Sequence, residues 1–346
     1  MEPVTHFLTG ACLSRAGLNR TTTLATLTLT LAAESPDIDI VAYFGGSVTG
    51  FAHHRGFTHT LLGVPVMAGA TVALVYGIYR LMKARGRAPA QAPKWKLLFF
   101  YSVLAVLVHI FQDLTNNYGV RPFAPFYPRW YSWDLVFIID PLMLIALLCG
   151  LFLPGLISLV TEEIGERKKQ FRGRGGAITA LVCLAVLIFA RWVEHARAVD
   201  ALNSVTYRNE DPLRVSAYPN PVDLFSWNGV VETRDFFEML NVNSLSGTLD
   251  PQNLAVVRYK PEETPATLAA KRSRLGRVYL DWAQYPLTDT IRRPHDTEFL
   301  VQFEDLRFAS IARLRRNGSP TLAGYVLLGP GLSVLDEYMG EPPPPD

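Results

Sequence analysis

Cysteine is nearly missing from this chain of 346 residues: Cys12, Cys149 and Cys183 each stand alone in an apolar stretch. With no CxxC pair, neither a thiolate metal site nor a disulfide framework is indicated. Charge is also scarce, at 18% of residues against 49% hydrophobic, and mean hydropathy is positive. That balance is too apolar for an ordinary soluble enzyme. A net charge of +2, with no basic stripe interleaved with aromatics, argues against nucleic acid as a partner. The first residues lack the basic region of a secretory signal. Glu2 and His6 stand there instead, and Arg15 and Arg20 break the first apolar stretch, so this segment is expected to stay in the mature protein. No internal repeat is evident.

What is abundant is unevenly placed. Most apolar residues lie before residue 195, and the later chain alternates polar and apolar residues as a soluble domain does. Stretches 4–18 and 21–33 are near the lower limit for crossing a hydrocarbon core of about 30 Å, as two tilted spans or one re-entrant hairpin. Stretches 61–82, 97–111, 136–160 and 177–193 read as further spans. The loop after the first of these carries Lys83, Arg85, Arg87, Lys94 and Lys96 with no acid between them, and residues 162–174 carry Arg167, Lys168, Lys169, Arg172 and Arg174. Both are expected on the cytoplasmic side. Six spans with both termini outside then bring His6, Asp37, Asp39, His54, His59, His109, Asp113, Asp134 and Asp140 to one outer face.

The fold expected is therefore a polytopic α-helical membrane domain of about six spans or short helices over residues 1–195, followed by a mainly β soluble domain over 196–340. Strands are expected at 224–232, 236–242, 254–259 and 298–303, with one helix near 265–275. The prolines at 342–345, within 341–346, read as a disordered tail.

Three motifs bear chemistry. His109 and Asp113 are four apart, on one helix face about a turn from each other, so both can grip one cation. Asp37 and Asp39 follow Pro36, which ends a helix; they either cap it or bind a hard or borderline divalent ion. His54 and His59 flank Gly56, where a turn can aim both inward, and Arg55 between them is suited either to hold a phosphate or carboxylate or to anchor a helix end to headgroups. Asp134 and Asp140 are at best supporting residues, with Asp140 better explained as a helix cap before Pro141. Phe123, Phe126, Tyr127, Trp130, Tyr131 and Trp133 fit an interfacial aromatic belt, along which a lipid would approach.

Ser35-Pro36-Asp37-Ile38-Asp39, then His54-Arg55-Gly56-Phe57-Thr58-His59-Thr60, then His109-x-x-x-Asp113 followed by Gly119 and Pro125-Phe126 resemble the membrane-bound metal-dependent hydrolases related to the YdjM inner-membrane proteins. The resemblance covers most of residues 1–160. Asn220-Pro221 and residues 227–232 are similar to a tail found in some members. It implies a metal site of His6, Asp37, Asp39, His54, His59, His109 and Asp113. Thr60 stands where serine is commoner, and His53 lies outside the motif. The expected activity is hydrolysis of an ester or phosphoester, with a lipid-linked substrate preferred. The ion would be divalent, zinc expected, one or two in number; Asp37 or Asp39 would serve as base and Arg55 as substrate contact. In a bacterium the protein would lie in the inner membrane, with its C-terminal domain on the outer side. The rival from another class is a non-enzymatic envelope or transport component whose His/Asp cluster holds helices together.

Overall fold

A computed structural model describes residues 1–163, 173–292, 298–309, 311, 314 and 320–340. The basic residues Arg167, Lys168, Lys169 and Arg172 and the prolines at 342–345 lie outside the described residues. The chain divides into two compact units. The first comprises Met1–Asp39 and Arg55–Trp192; the second comprises Ile40–His54 and the chain from Val193 onward.

The first unit is helical. α1 (Pro3–Arg15) starts where Glu2 accepts a hydrogen bond from the Thr5 amide and Pro3 takes the first helical position, where no amide donor is needed. α2 (Ala25–Glu34) follows, and Pro36 turns the chain into a long 3-10 segment, Ser35–Gly45, whose later residues pass into the second unit. The chain re-enters at Arg55, makes one 3-10 turn (Phe57–His59), and continues into α4 (Gly63–Ala84), α5 (Trp95–Thr115), α6 (Pro141–Glu163) and α7 (Arg174–Asn203), whose residues from Val193 belong to the second unit, as does the short α3 (Ser47–His53).

Among the described residues three helices, α4, α5 and α7, are long and apolar enough to cross a membrane, with a shorter apolar stretch at Pro141–Ile157 in α6. The six spans expected from hydropathy are not all present as such. α1 has 13 residues and α2 has 10, so at 1.5 Å per residue they reach only about 20 Å and 15 Å, short of a hydrocarbon core of about 30 Å. They pack as a helical pair inside the unit. Gly10 permits this, since a Cβ there would stand 2.7 Å from the Leu29 carbonyl oxygen. Gly150 and Gly176 bring α6 and α7 together in the same way: a Cβ on Gly150 would lie 2.6 Å from the Gly176 oxygen. Two apolar cores result, one joining α1, α6 and α7 around Cys12, Met143 and Leu147, the other joining α2, α4 and α5 around Leu29, Val106 and Ile110.

The second unit is built on two antiparallel sheets. In the first, β1 (Arg214–Pro219), β2 (Ser226–Glu232) and β3 (Phe236–Asn243) are neighbours, and both β4 (Thr248–Leu249) and β5 (Val256–Tyr259) pair with β3. In the second, β6 (Pro286–Arg292), β7 (Phe299–Asp305), β8 (Gly324–Leu328) and β9 (Val334–Met339) run in order. The single helix expected near 265–275 is two, α8 (Pro265–Arg272) and α9 (Arg274–Trp282). Ser273 causes the break: its backbone is extended and its hydroxyl accepts from the Gly276 amide, capping the second helix. α3 packs within this unit, with Phe51 5.1 Å from the Trp282 ring and 5.9 Å from Tyr279.

Candidate metal centre

Four side chains converge in the first unit. One atom each from Asp37, His59, His109 and Asp113 lies within 4.8 Å of the others. The Nε2 of His59 is 3.4 Å from Asp37 Oδ1 and 3.3 Å from Asp113 Oδ2, and the Nε2 of His109 is 3.5 Å and 3.4 Å from the same two oxygens. The two nitrogens are 3.1 Å apart. Ligands about 2.0–2.1 Å from a tetrahedral ion are separated by about 3.4 Å, so these spacings match the edges of a four-ligand cage.

Each imidazole is oriented from behind. His109 Nδ1 donates to the Ala33 carbonyl oxygen at 2.6 Å, which leaves Nε2 as a bare lone pair. His59 Nδ1 faces Asp39 Oδ2 at 3.3 Å, and that carboxylate oxygen also accepts from the Arg55 amide at 2.6 Å. Asp39 therefore holds His59 in the tautomer that turns Nε2 inward, the carboxylate–histidine arrangement of metal sites. Asp113 is held likewise: Arg55 donates to its Oδ1 at 2.8 Å and Asn116 at 3.3 Å, while Oδ2 faces the cage. The Met1 nitrogen also lies against Oδ1.

The donors fit a cation and fit poorly with one another. Two imidazole lone pairs and two carboxylate oxygens point at a common centre, and both Asp37 Oδ2 and Asp113 Oδ2 are buried without a hydrogen bond. Leaving a buried acceptor unsatisfied costs about 1–3 kcal/mol, more for a charged group, unless a cation compensates it. Asp37 is the least buried of the four, its side chain 21% exposed while those of His59, His109 and Asp113 are fully buried.

Residues 1–198 match the YdjM inner membrane protein family, more than half of the chain and every residue of the cage. The chain belongs to that family. This YdjM-family chain is similar to Uncharacterized protein YfhP of Bacillus subtilis (strain 168), with 28% identity over 326 residues, covering 91% of this chain and 85% of that one. No solved structure matches it. Family membership and the three apolar helices make it an integral membrane protein. The YdjM match ends within α7, so both sheets lie beyond it.

The other residues singled out from the sequence take different places. His6 is buried and stacks on His109 with ring centroids 3.7 Å apart; its Nε2 is 3.4 Å from Asp113 Oδ1, on the side away from the cage. His54 ends α3 in the second unit, outside the convergent atoms, because Arg55 takes a positive φ of 51° that turns the chain between the two histidines. That turn drives the Arg55 side chain inward. Its guanidinium bonds Asp113, Asn116 and the Gly119 carbonyl and lies 4.8 Å over the Tyr118 ring, so it is engaged with the protein rather than presented to a substrate. Asp140 caps α6 through the Leu142 and Met143 amides and pairs with Arg191 at 3.1 Å, away from the cage. Two residues were not foreseen. Asn116 lies one turn beyond Asp113 and accepts from Arg55 at 3.1 Å. Gln112 donates to Thr9 at 3.0 Å, which turns its carbonyl oxygen towards His6 Nδ1 at 3.1 Å. Their only sequence signal is adjacency to the His109-x-x-x-Asp113 pair.

Proposed function

We propose that this protein is a metal-dependent hydrolase of the membrane, acting on an ester or phosphoester, with a lipid-linked substrate as the preferred class. The observation that carries the reading is the cage of Asp37, His59, His109 and Asp113, with bare nitrogens turned inward and the Asp37 side chain partly exposed. A divalent ion held there, zinc being the expected one, supplies Lewis-acid polarisation of the scissile group and acidifies a water molecule. The chain supplies the rest. Asp39 and Ala33 fix the two imidazoles, Arg55 and Asn116 fix Asp113, and Asp37, of the two candidate bases Asp37 and Asp39, is the one we assign to take the proton, because its Oδ2 has no hydrogen bond.

A second reading has its own support. Four protein donors at tetrahedral spacing already complete the shell of a four-coordinate ion, as in structural sites. A six-coordinate ion would leave two positions for water and substrate. The test is to measure metal content of the purified protein and then metal-dependent turnover across a lipid and phosphoester panel, for wild type and His59→Ala. Turnover by wild type alone supports the hydrolase; bound metal with turnover by neither supports the structural role.

We propose further that the site faces the outer side of the membrane and that the second unit is on that same side. The basic loop between α4 and α5 supports a cytoplasmic position for the opposite helix ends. The chain enters the second unit at Ile40, directly after Asp39, and leaves it at His54, directly before Arg55. Neither link is long enough to cross a bilayer. Labelling of a cysteine placed near residue 90 in intact cells tests the orientation: no external labelling is expected, and external labelling reverses it.

A further inference from the structure

The surface of α5 that faces away from the cage is a stripe of apolar side chains. Phe100, Leu104, Leu107 and Phe111 are exposed at intervals of four, three and four residues, one line along the helix. Because α5 is long and apolar enough to cross a membrane, that stripe faces lipid. Phe111 lies two residues from His109 and two from Asp113, so it occupies the opposite face of the helix at the depth of the cage. Trp133, itself exposed, packs edge-on against Phe111 with ring centroids 5.7 Å apart, and its amide donates to the Leu114 carbonyl at 2.8 Å. The indole therefore marks, on the outside of the helical unit, the level at which the cage sits inside it.

The loop that carries Trp133 extends this surface to the start of α4. Leu61, exposed beside Leu62, donates its amide to the Pro122 carbonyl at 2.9 Å. The turn that follows exposes Phe123, Phe126 and Tyr127, the last two at 75% and 70%. Its backbone costs little to take out of water. Among residues 122–128 three are prolines, with no amide hydrogen, and the Ala124 and Tyr127 amides donate to the Arg121 and Phe123 carbonyls. Residues 118–133 contain no acid and two arginines, Arg121 over the Trp130 ring at 4.5 Å and Arg129 over the Tyr131 ring at 5.8 Å. Exposed aromatics with arginines among them are the chemistry of the headgroup level, where each ring buries its apolar body and each guanidinium stays among polar groups.

We propose that the aromatic loop, residues 121–133, beds into the headgroup region of a phospholipid bilayer and so holds the cage at headgroup depth. The partner is phospholipid for two reasons. The loop adjoins the lipid-facing stripe of α5 through the contact of Trp133 with Phe111, and its charged residues, Arg121 and Arg129, are cations that complement phosphate oxygens. This depth holds whether the cage is catalytic or structural. Under the hydrolase reading, the linkages met at that depth are the phosphoesters and esters of the lipid itself.

Full-length protein with Cys149 and Cys183 replaced by alanine is labelled with an environment-sensitive fluorophore at Phe126→Cys, Trp133→Cys or Leu74→Cys and reconstituted in phosphatidylcholine vesicles. The vesicles carry phosphatidylcholine spin-labelled either at the headgroup or near the chain end. Leu74, exposed halfway along α4, reports the hydrocarbon centre. Blue-shifted emission at 126 and 133 with quenching several-fold stronger by the headgroup label, and the reverse preference at 74, is the expected result. Water-like emission at 126 and 133 with quenching by neither label overturns the proposal. A blue shift there without quenching overturns it too, because it shows that protein rather than lipid covers the loop. Stronger quenching at 126 and 133 by the chain-end label also contradicts it, since the loop would then lie in hydrocarbon.

Discussion

The Nε2 atoms of His59 and His109 face each other across 3.1 Å, and each ring's other nitrogen is engaged, His59 with Asp39 and His109 with the Ala33 carbonyl. Two lone pairs held this way need a cation between them. His59→Ala or His109→Ala is expected to abolish stoichiometric binding of a divalent ion, measured by elemental analysis of protein purified without chelator. His54→Ala is expected to leave it unchanged, because that residue is outside the convergent atoms.

Asp39 acts behind His59. Asp39→Asn keeps the shape but removes the anion that holds Nδ1–H, so the affinity for the ion should fall about 10–100-fold. Competition with a chromophoric chelator measures this. Asp37→Asn, which removes a cage donor, should cost more than Asp39→Asn; the reverse order would exchange their roles.

Arg55 is clamped to Asp113 and Asn116 in a buried setting. Removing one partner of such a pair costs about 3–5 kcal/mol, so Arg55→Ala should sharply lower the unfolding temperature in detergent and release metal. Arg55→Lys should rescue little, since an ammonium lacks the planar fork that reaches Asp113, Asn116 and Gly119 together. A full rescue by lysine would show that charge alone matters there.

How far this arrangement could be read beforehand varies by residue. The His109 and Asp113 pair was legible because helical spacing alone places residues four apart on one face. The three long apolar helices α4, α5 and α7 were legible from hydropathy, although α7 runs ten residues past the expected end. The separate roles of Asp37 and Asp39 were not, because two residues apart in a 3-10 segment point in different directions and nothing local says which one faces the cage. The different places of His54 and His59 were not legible for a similar reason: the positive φ at Arg55 is a tertiary outcome at a residue type with no preference for it. That residues 40–54 join the second unit was also hidden, because the partners of α3, Tyr279 and Trp282, are more than two hundred residues away in sequence.

The second unit should also show a pH signature. Burial raises the Glu304 carboxyl above its ordinary 4.5, with Asp305 adding to the effect and Arg258 opposing it. A raised pKa in the folded state contributes stability that is full below the unfolded value and is lost as pH rises through the folded one. Wild type should therefore lose stability relative to Glu304→Gln as pH rises from about 4.5. Denaturant unfolding followed by tryptophan fluorescence at several pH values checks this; a pH-independent difference would contradict it.

The most direct measurement is the divalent metal content of the purified full-length protein beside that of an Asp37→Ala, His59→Ala, His109→Ala, Asp113→Ala variant that retains its circular dichroism. At least one tightly held ion per wild-type chain and none in the variant is the predicted result. A wild-type chain that takes up no zinc, manganese, iron or magnesium when each is offered would contradict the account.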